Sequence, residues 1–364
     1  MTIISAIGIG VTMSTAGAAA AFAGAATPAR TFVVHPGQSI QAAINKASPG
    51  DTIVLRAGVY HQSVLIRKDK ITLRGSGESA KGTVLRPPAK PGKSQCVFPG
   101  TGICILAKSL NPKTGVVRTP VYDDTITNLR VTGFQGSGVF GFGTYGLTVT
   151  RVSAINDGEY GISRFESTAS LFANDLAVGN HEAGFYVGDS PNAATVVRND
   201  RASGNEFGIF VRHARGVTVT GNRVTGNCEG ILVLDDGQHG GAGNALIEHN
   251  RAVSNNKFCK KNEETPVDVK GGGILLLGAT QTTVSHNSVA GNRGSQFNSG
   301  GIVVLSAKQL AHGSNPDFDI IVANTAFRNR PADLRWDGTG RGVRFLRNHC
   351  TKSIPGGLCH GASS

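Results

Sequence analysis

The stretch from Asn156 to Ser306 repeats one phrase six times. Each unit has an Asn-rich turn, a Gly and a short apolar run: Gly161-Ile162, Gly184-Phe185, Gly208-Ile209, Gly230-Ile231, Gly273-Ile274 and Gly301-Ile302. The first four Gly are 23, 24 and 22 residues apart, and the last two gaps are 43 and 28. Between them recurs a β-branched phrase, as in Thr195-Val196-Val197-Arg198 and Val217-Thr218-Val219-Thr220. An Asn commonly follows it, at Asn174, Asn199, Asn222, Asn250, Asn287 and Asn324. A second Asn comes five or six residues later, at Asn180, Asn205, Asn227, Asn255, Asn292 and Asn329.

A period in the low twenties, with short β-branched strands and no helical phase, marks a solenoid. A unit this small cannot bury its own apolar face and must stack on its neighbours. Coils of about 22–24 residues, with two or three strands each, point to an all-β parallel β-helix. Leucine-rich repeats share the period but require Leu at fixed offsets, where this chain places Val, Ile, Thr and Gly. Stacked coils lie about 4.8 Å apart, so equivalent residues form columns. The residues one and three after each Gly should point inward: Ile162, Phe185, Val187, Ile209, Val211, Ile231, Val233, Ile274, Leu276, Ile302 and Val304. The Asn columns read as structural ladders, because Asn tolerates left-handed turns and its amide can bridge coils. His249 and His286 read as stacked surface residues of the outer strand face.

The 364 residues include 50 Gly and few charges, which suits one long solenoid better than two globular domains. Residues 1–29 carry no charge and end in small residues, as a signal peptide does; residues 30–350 read as the β-helix and 351–364 as a tail. The protein is therefore expected to be secreted, or held at the cell envelope if that segment is retained. Poor in Leu, the segment makes a weak transmembrane helix, so no stable membrane insertion is expected after processing. A formal charge of +12 favours acidic polysaccharide or another anionic cell-wall glycan. No Lys/Arg cluster interleaved with aromatics appears, which argues against nucleic acid. A monomer is expected. Six Cys fall into three local pairs, Cys96–Cys104, Cys228–Cys259 and Cys350–Cys359. Behind a signal-like segment they read as disulfides; zinc is the alternative, disfavoured because no Cys-x-x-Cys occurs.

The N-terminal part runs Pro36-Gly37-Gln38-Ser39-Ile40-Gln41-Ala42-Ala43-Ile44, then Pro49-Gly50-Asp51-Thr52-Ile53-Val54-Leu55, Gly58-Val59-Tyr60 and Ile71-Thr72-Leu73-Arg74-Gly75. Ser39 is placed to cap a short helix whose apolar face is Ile40, Ala43, Ile44 and Ala47, and such a helix would cover the open end of the solenoid. Together with the Gly-Ile coils, this run resembles the secreted right-handed parallel β-helix proteins of the pectin-lyase-like group, across roughly residues 31–350. That group includes pectate lyases, polygalacturonases, related epimerases and NosD-like carbohydrate-binding proteins. The resemblance implies a single-stranded right-handed β-helix acting on, or binding, carbohydrate, and does not settle the reaction.

Chemistry concentrates five residues past the repeat Gly, at Glu166, Asp189, His213, Asp235, Gly278 and Ser306. Arg212 and Asp236 flank this row, and His239 follows on a Gly-rich loop. Neighbouring carboxylates need a cation or a shared proton. Glu166, Asp189 and Asp235 are therefore the candidate ligands for a Ca²⁺ ion. Asp235, Asp236, His213, Arg212, Asp189 and His239 are the candidate catalytic residues. The Asp235-Asp236 pair resembles that of polygalacturonases, but the rest of their pattern, and the pectate-lyase Arg-x-Pro-x-x-Arg, are missing. A second column, Glu159, Glu182, Glu206 and Glu229, reads as exposed, solvated turn residues. The insertion from Lys257 to Lys270 has the character of a lid. Two functions compete: a lyase or glycoside hydrolase of acidic, uronate-containing glycan, and a non-catalytic cell-envelope protein that binds glycan. The latter needs stacking aromatics, and the chain has one Trp and five Tyr.

Overall fold

The computed structural model describes residues 28–88, 96, 100–111, 113–360 and 362–363, so the signal-like segment falls outside it except for Pro28 and Ala29. The chain winds into a right-handed parallel β-helix. One face is a sheet of eleven parallel strands, from Val64–Ile66 to Ser353–Ile354; a second, 22-stranded sheet forms the remaining faces. The strand register follows the repeat Gly. Ile162, Phe185, Ile209, Ile231, Ile274, Ile302 and Leu334 stand in one column, each the partner of the next. These residues and the inward column two positions on form the core with Val149, Val197, Val219 and Ile247 of the other sheet.

The repeat Gly answers a space requirement. A Cβ at Gly161 would lie 2.7 Å from Asn180 Nδ2 and 2.7 Å from the carbonyl oxygen of Gly184. Gly184, Gly208, Gly230, Gly273 and Gly301 meet the same two neighbours or their equivalents. The Asn amide and the next coil's backbone thus occupy the position of the missing side chain.

The second Asn column is a continuous ladder. Asn180 Nδ2 donates to Asn205 Oδ1 at 3.0 Å, and the pattern continues through Asn227, Asn255, Asn292 and Asn329 to Asp333. Each Oδ1 also accepts the backbone N–H of the coil before it, as in Asn180 N to Asn205 Oδ1 at 2.9 Å. The other ladder corrects the sequence reading in two coils. Asn222, Asn250, Asn287, Asn324 and Asn348 form it, but the preceding rungs are Asp175 and Asp200, not Asn174 and Asn199. Asn174 and Asn199 take the left-handed bend before the rung, at φ 60° and 56°. His249 and His286 share this bend, and their rings stack with centroids 5.2 Å apart.

A helix spans Ile40–Lys46, and Ser39 accepts from the Ala42 N–H at its start. Its buried Ile40, Ala43 and Ile44 belong to the core cluster. The three expected disulfides are formed. An arginine interrupts the inward columns: Arg164 follows Gly141 in its column, is fully buried, and donates to the carbonyls of Ser167 and Ala193. Burial alone pushes its guanidinium down to about 9.

Candidate functional site

Strand register stacks the residues that follow Phe165, Gly188, Arg212 and Leu234. Glu166, Asp189 and His213 take the left-handed bend at φ 49°, 48° and 48°. The imidazole of His213, 1% exposed, lies between two carboxylates. Its Nδ1 is 2.9 Å from Asp189 Oδ1, and its Nε2 meets Asp236 Oδ1. Arg212 donates to Asp236 Oδ2 from Nε at 2.9 Å and from Nη2 at 2.6 Å. Tyr186, pointing outward in the preceding coil, accepts a hydrogen bond from Arg212. Four of the six candidate catalytic residues, Asp189, Arg212, His213 and Asp236, are thus brought together.

Asp235 and His239 are not part of that group. Asp235 accepts from the N–H of Gly237 at 3.0 Å and of Ser314 at 3.2 Å, so its carboxylate holds loop backbone together. His239 is exposed on the same loop and forms none of the row's ion pairs. The proposed calcium ligands are not assembled either. Glu166 and Asp189 are neighbours, and burial, then Asp189, raises Glu166. Asp235, however, is engaged by Gly237 and Ser314, and among the described residues no three His, Cys, Asp or Glu side chains gather to hold a metal.

The row opens onto a cavity of about 310 Å³ on the outward face of the eleven-stranded sheet. Its floor is apolar, built from Phe207, Phe210, Leu232 and Leu275. The Lys257–Lys270 insertion forms one wall with Thr265, Pro266, Val267 and Val269. That insertion is tied down by Cys228–Cys259 and by reciprocal backbone hydrogen bonds between Cys259 and Val269. Arg212 and Asp236 stand at the cavity's edge, and Phe297 and Asn298 close another side.

The Glu column requires a correction. Glu159 is exposed, but Glu182, Glu206 and Glu229 are only 7%, 2% and 1% exposed. The insertion folds over these turns and excludes water, which a repeat register cannot reveal. Burial pushes Glu182 up to about 7, against the lowering effect of its hydrogen bond from Tyr160. Burial, then the Glu206 carboxyl, pushes Glu229 up to about 8. Both line the cavity. The sequence reading also missed Tyr186, Phe297 and Asn298; the alternation along each strand marks Tyr186 as outward, whereas Phe297 and Asn298 lie on a loop without periodicity.

Residues 137–315 match the family model described as right handed beta helix region. This is a right-handed β-helix protein. Solved structures with the same fold include the periplasmic alginate epimerase AlgG, 14% identical, covering 88% of this chain and 83% of that one with a TM-score of 0.56. The A-module of the Azotobacter vinelandii mannuronan C-5 epimerase AlgE6 is 17% identical over 86% of this chain and 90% of that one, TM-score 0.59. DFA-IIIase from Arthrobacter chlorophenolicus A6, without its lid and in complex with GF2, is 13% identical over 89% of each chain, TM-score 0.60. No curated protein matches the sequence. At these identities the likeness establishes the fold of the β-helix protein, not its reaction.

Proposed function

We propose that this β-helix protein is an exported polysaccharide-active enzyme that cleaves a glycosidic bond by general acid–base catalysis. The observation that carries this reading is the opening of the Asp189–His213–Asp236–Arg212 row onto the cavity, with Asp236 and Arg212 belonging to both. Hydrolysis of a glycoside needs one carboxyl that delivers a proton and another that accepts one or attacks. Glu182, raised to about 7 by burial, precedes its strand, whereas Asp236 stands beyond the far end of its own, so Glu182 is not assigned as the proton donor. Asp236, gripped by two nitrogens of Arg212, is suited to accept one from water. His213 is a positioning residue: its ring is buried and both nitrogens face carboxylates, so it sets Asp236 relative to Asp189.

Hydrolysis is favoured over elimination by the cavity's charge. Removing a proton next to a uronate requires a cation to neutralise the carboxylate, and the lining offers only Arg212, which already pairs with Asp236. The carbohydrate part of the reading is supported by neighbours named as alginate and mannuronan epimerases, and export by three disulfides. No step is assigned to calcium.

The test is release of new reducing ends from a panel of purified polysaccharides. Asp236→Asn should lower turnover per folded molecule by about 10² or more, as expected for loss of a general base. Tight glycan binding with no product from any polymer would instead establish the non-catalytic binder.

A further inference from the structure

We infer that the cavity beneath the Lys257–Lys270 insertion binds a sugar carrying a free ammonium group, an amino-sugar unit of the polymer. This rests on the polysaccharide reading above. Six charged residues line the cavity: Glu182, Glu229, Glu263, Glu264, Asp236 and Arg212. The single cation is committed to Asp236. This local acid excess lies in a chain whose formal charge is +12, so it does not follow from composition.

Two buried acceptors in the lining point to a missing donor. Glu229 is 1% exposed and Asn298 2%, and among the described residues neither Glu229 Oε1 nor Asn298 Oδ1 has a hydrogen-bond partner. Buried polar atoms are normally satisfied, and those that are not call for a ligand or another explanation. Space for the Glu229 carboxyl is provided by Gly272 in the next coil, where any Cβ would collide with it. Burial raises Glu229 to about 8, so the empty site keeps it largely protonated, and a bound ammonium would favour its ionised form. The rings of Phe207, Phe210 and Phe297 border the same space, and aromatic faces attract organic cations.

Competing ligands fit less well. A uronate would bring a negative charge among carboxyls with no free cation to receive it. An N-acetylated sugar has no charge and offers one amide N–H where an ammonium offers three, while its carbonyl adds a further acceptor. A hard divalent cation takes several oxygen ligands at once, and no such group of side chains assembles among the described residues. The volume, about 310 Å³, is at the small end of ligand sites, roughly 300–1,000 Å³.

Isothermal titration of the disulfide-intact protein with four ligands separates these cases: a glucosamine tetramer, its fully N-acetylated form, a galacturonate tetramer and, as a non-sugar probe, propylammonium. The glucosamine tetramer should bind, with the N-acetylated and uronate tetramers at least tenfold weaker. Glu229→Gln should weaken the glucosamine tetramer by tenfold or more, while His249→Ala, on the outer face of the other sheet, leaves its affinity unchanged. If Glu229→Gln does not fold, Asn298→Ala, at the other orphan acceptor, should weaken the tetramer in the same direction. Equal binding of the N-acetylated tetramer, or tighter binding of the uronate that persists when the basic cleft at Arg328 and Arg330 is reversed by Arg328→Glu and Arg330→Glu, overturns the assignment. Propylammonium bound without any sugar overturns both the amino-sugar assignment and the polysaccharide reading. Amino-tetramer binding by a protein that cleaves no polysaccharide upholds the assignment and removes only the hydrolase.

Discussion

Asp235 turns its carboxylate to the backbone of Gly237 and Ser314, whereas its neighbour Asp236 turns to His213 and Arg212. The two should separate cleanly on substitution. Asp235→Asn keeps one acceptor oxygen and loses a charge-assisted hydrogen bond, so it should destabilise the protein by about 1–2 kcal/mol while activity per folded molecule survives. Asp236→Asn should show the converse weighting, with the loss falling on turnover. Thermal melts combined with activity normalised to folded protein check this. Loss of turnover in Asp235→Asn with an unchanged melt would return the reacting role to Asp235. Nothing in the Asp-Asp dipeptide distinguishes its members; the difference arises from the 306–318 segment, which brings the Ser314 N–H to Asp235 from 79 residues away.

At the scale of the element, the ladders show how side chains take over backbone pairing in the turns. Asp175 and Asp200 fill rungs that Asn fills in later coils. Asp200 Oδ2 is buried without a hydrogen-bond partner among the described residues, and burial pushes its carboxyl up to about 8. A carboxyl raised in the folded state holds its proton there longer than in the unfolded chain. Stability linked to it is greatest at low pH and is lost as pH rises from about 4 through about 8. Asp200→Asn retains the acceptor, adds a donor and removes the titration. It should therefore raise stability by about 1 kcal/mol at pH 8.5 and by less at pH 5. Melts at the two pH values decide; a lower melting temperature at pH 8.5 would refute it.

The lid insertion is the other element with a separable role. Its disulfide spans 31 residues and anchors the cavity wall to the Cys228 turn. Closing a loop of that size is worth about 3.7 kcal/mol in the chain-entropy model. Replacing Cys228 and Cys259 together by Ala should leave the strand signal in circular dichroism intact while weakening any cavity ligand at least tenfold. Unchanged ligand affinity would show that the insertion holds its place without the bond.

Across the whole molecule, charge is unevenly divided. The cavity is acidic, while Arg328, Arg330, Arg335 and Lys352 line a cleft near the C-terminal coils and make no ion pair among the described residues. The acid in that cleft, Asp333, is occupied by Asn329, Thr351 and the Lys352 N–H. Acidic polysaccharide should therefore bind there in a salt-sensitive way. Screening acts over about 10 Å at 0.1 M salt, so the attraction should fade well below roughly 0.5 M. Paired Arg328→Glu and Arg330→Glu changes should weaken polygalacturonate binding at low salt. Affinity for neutral glycan that is equal and indifferent to salt would contradict a charge-driven mode.

What the sequence by itself determined is the solenoid: the coil length, the inward columns, the Asn ladders and the Cys pairs. These are periodic or local features, and stacking converts sequence spacing directly into spatial contact. The row at Asp189 and His213 was legible for the same reason, since the two share one register position in consecutive coils and Arg212 immediately precedes His213. Tertiary structure decided everything that depends on segments outside the repeat. The insertion buries Glu182, Glu206 and Glu229, which register alone places on an exposed turn. The Ser314 segment claims Asp235 and leaves Asp236 to His213. Phe297 and Asn298 reach the cavity from a loop. Loop position is set by packing between residues distant in the chain, and no periodicity encodes it; hence the fold was readable in advance, while the burial and charge of the site were not.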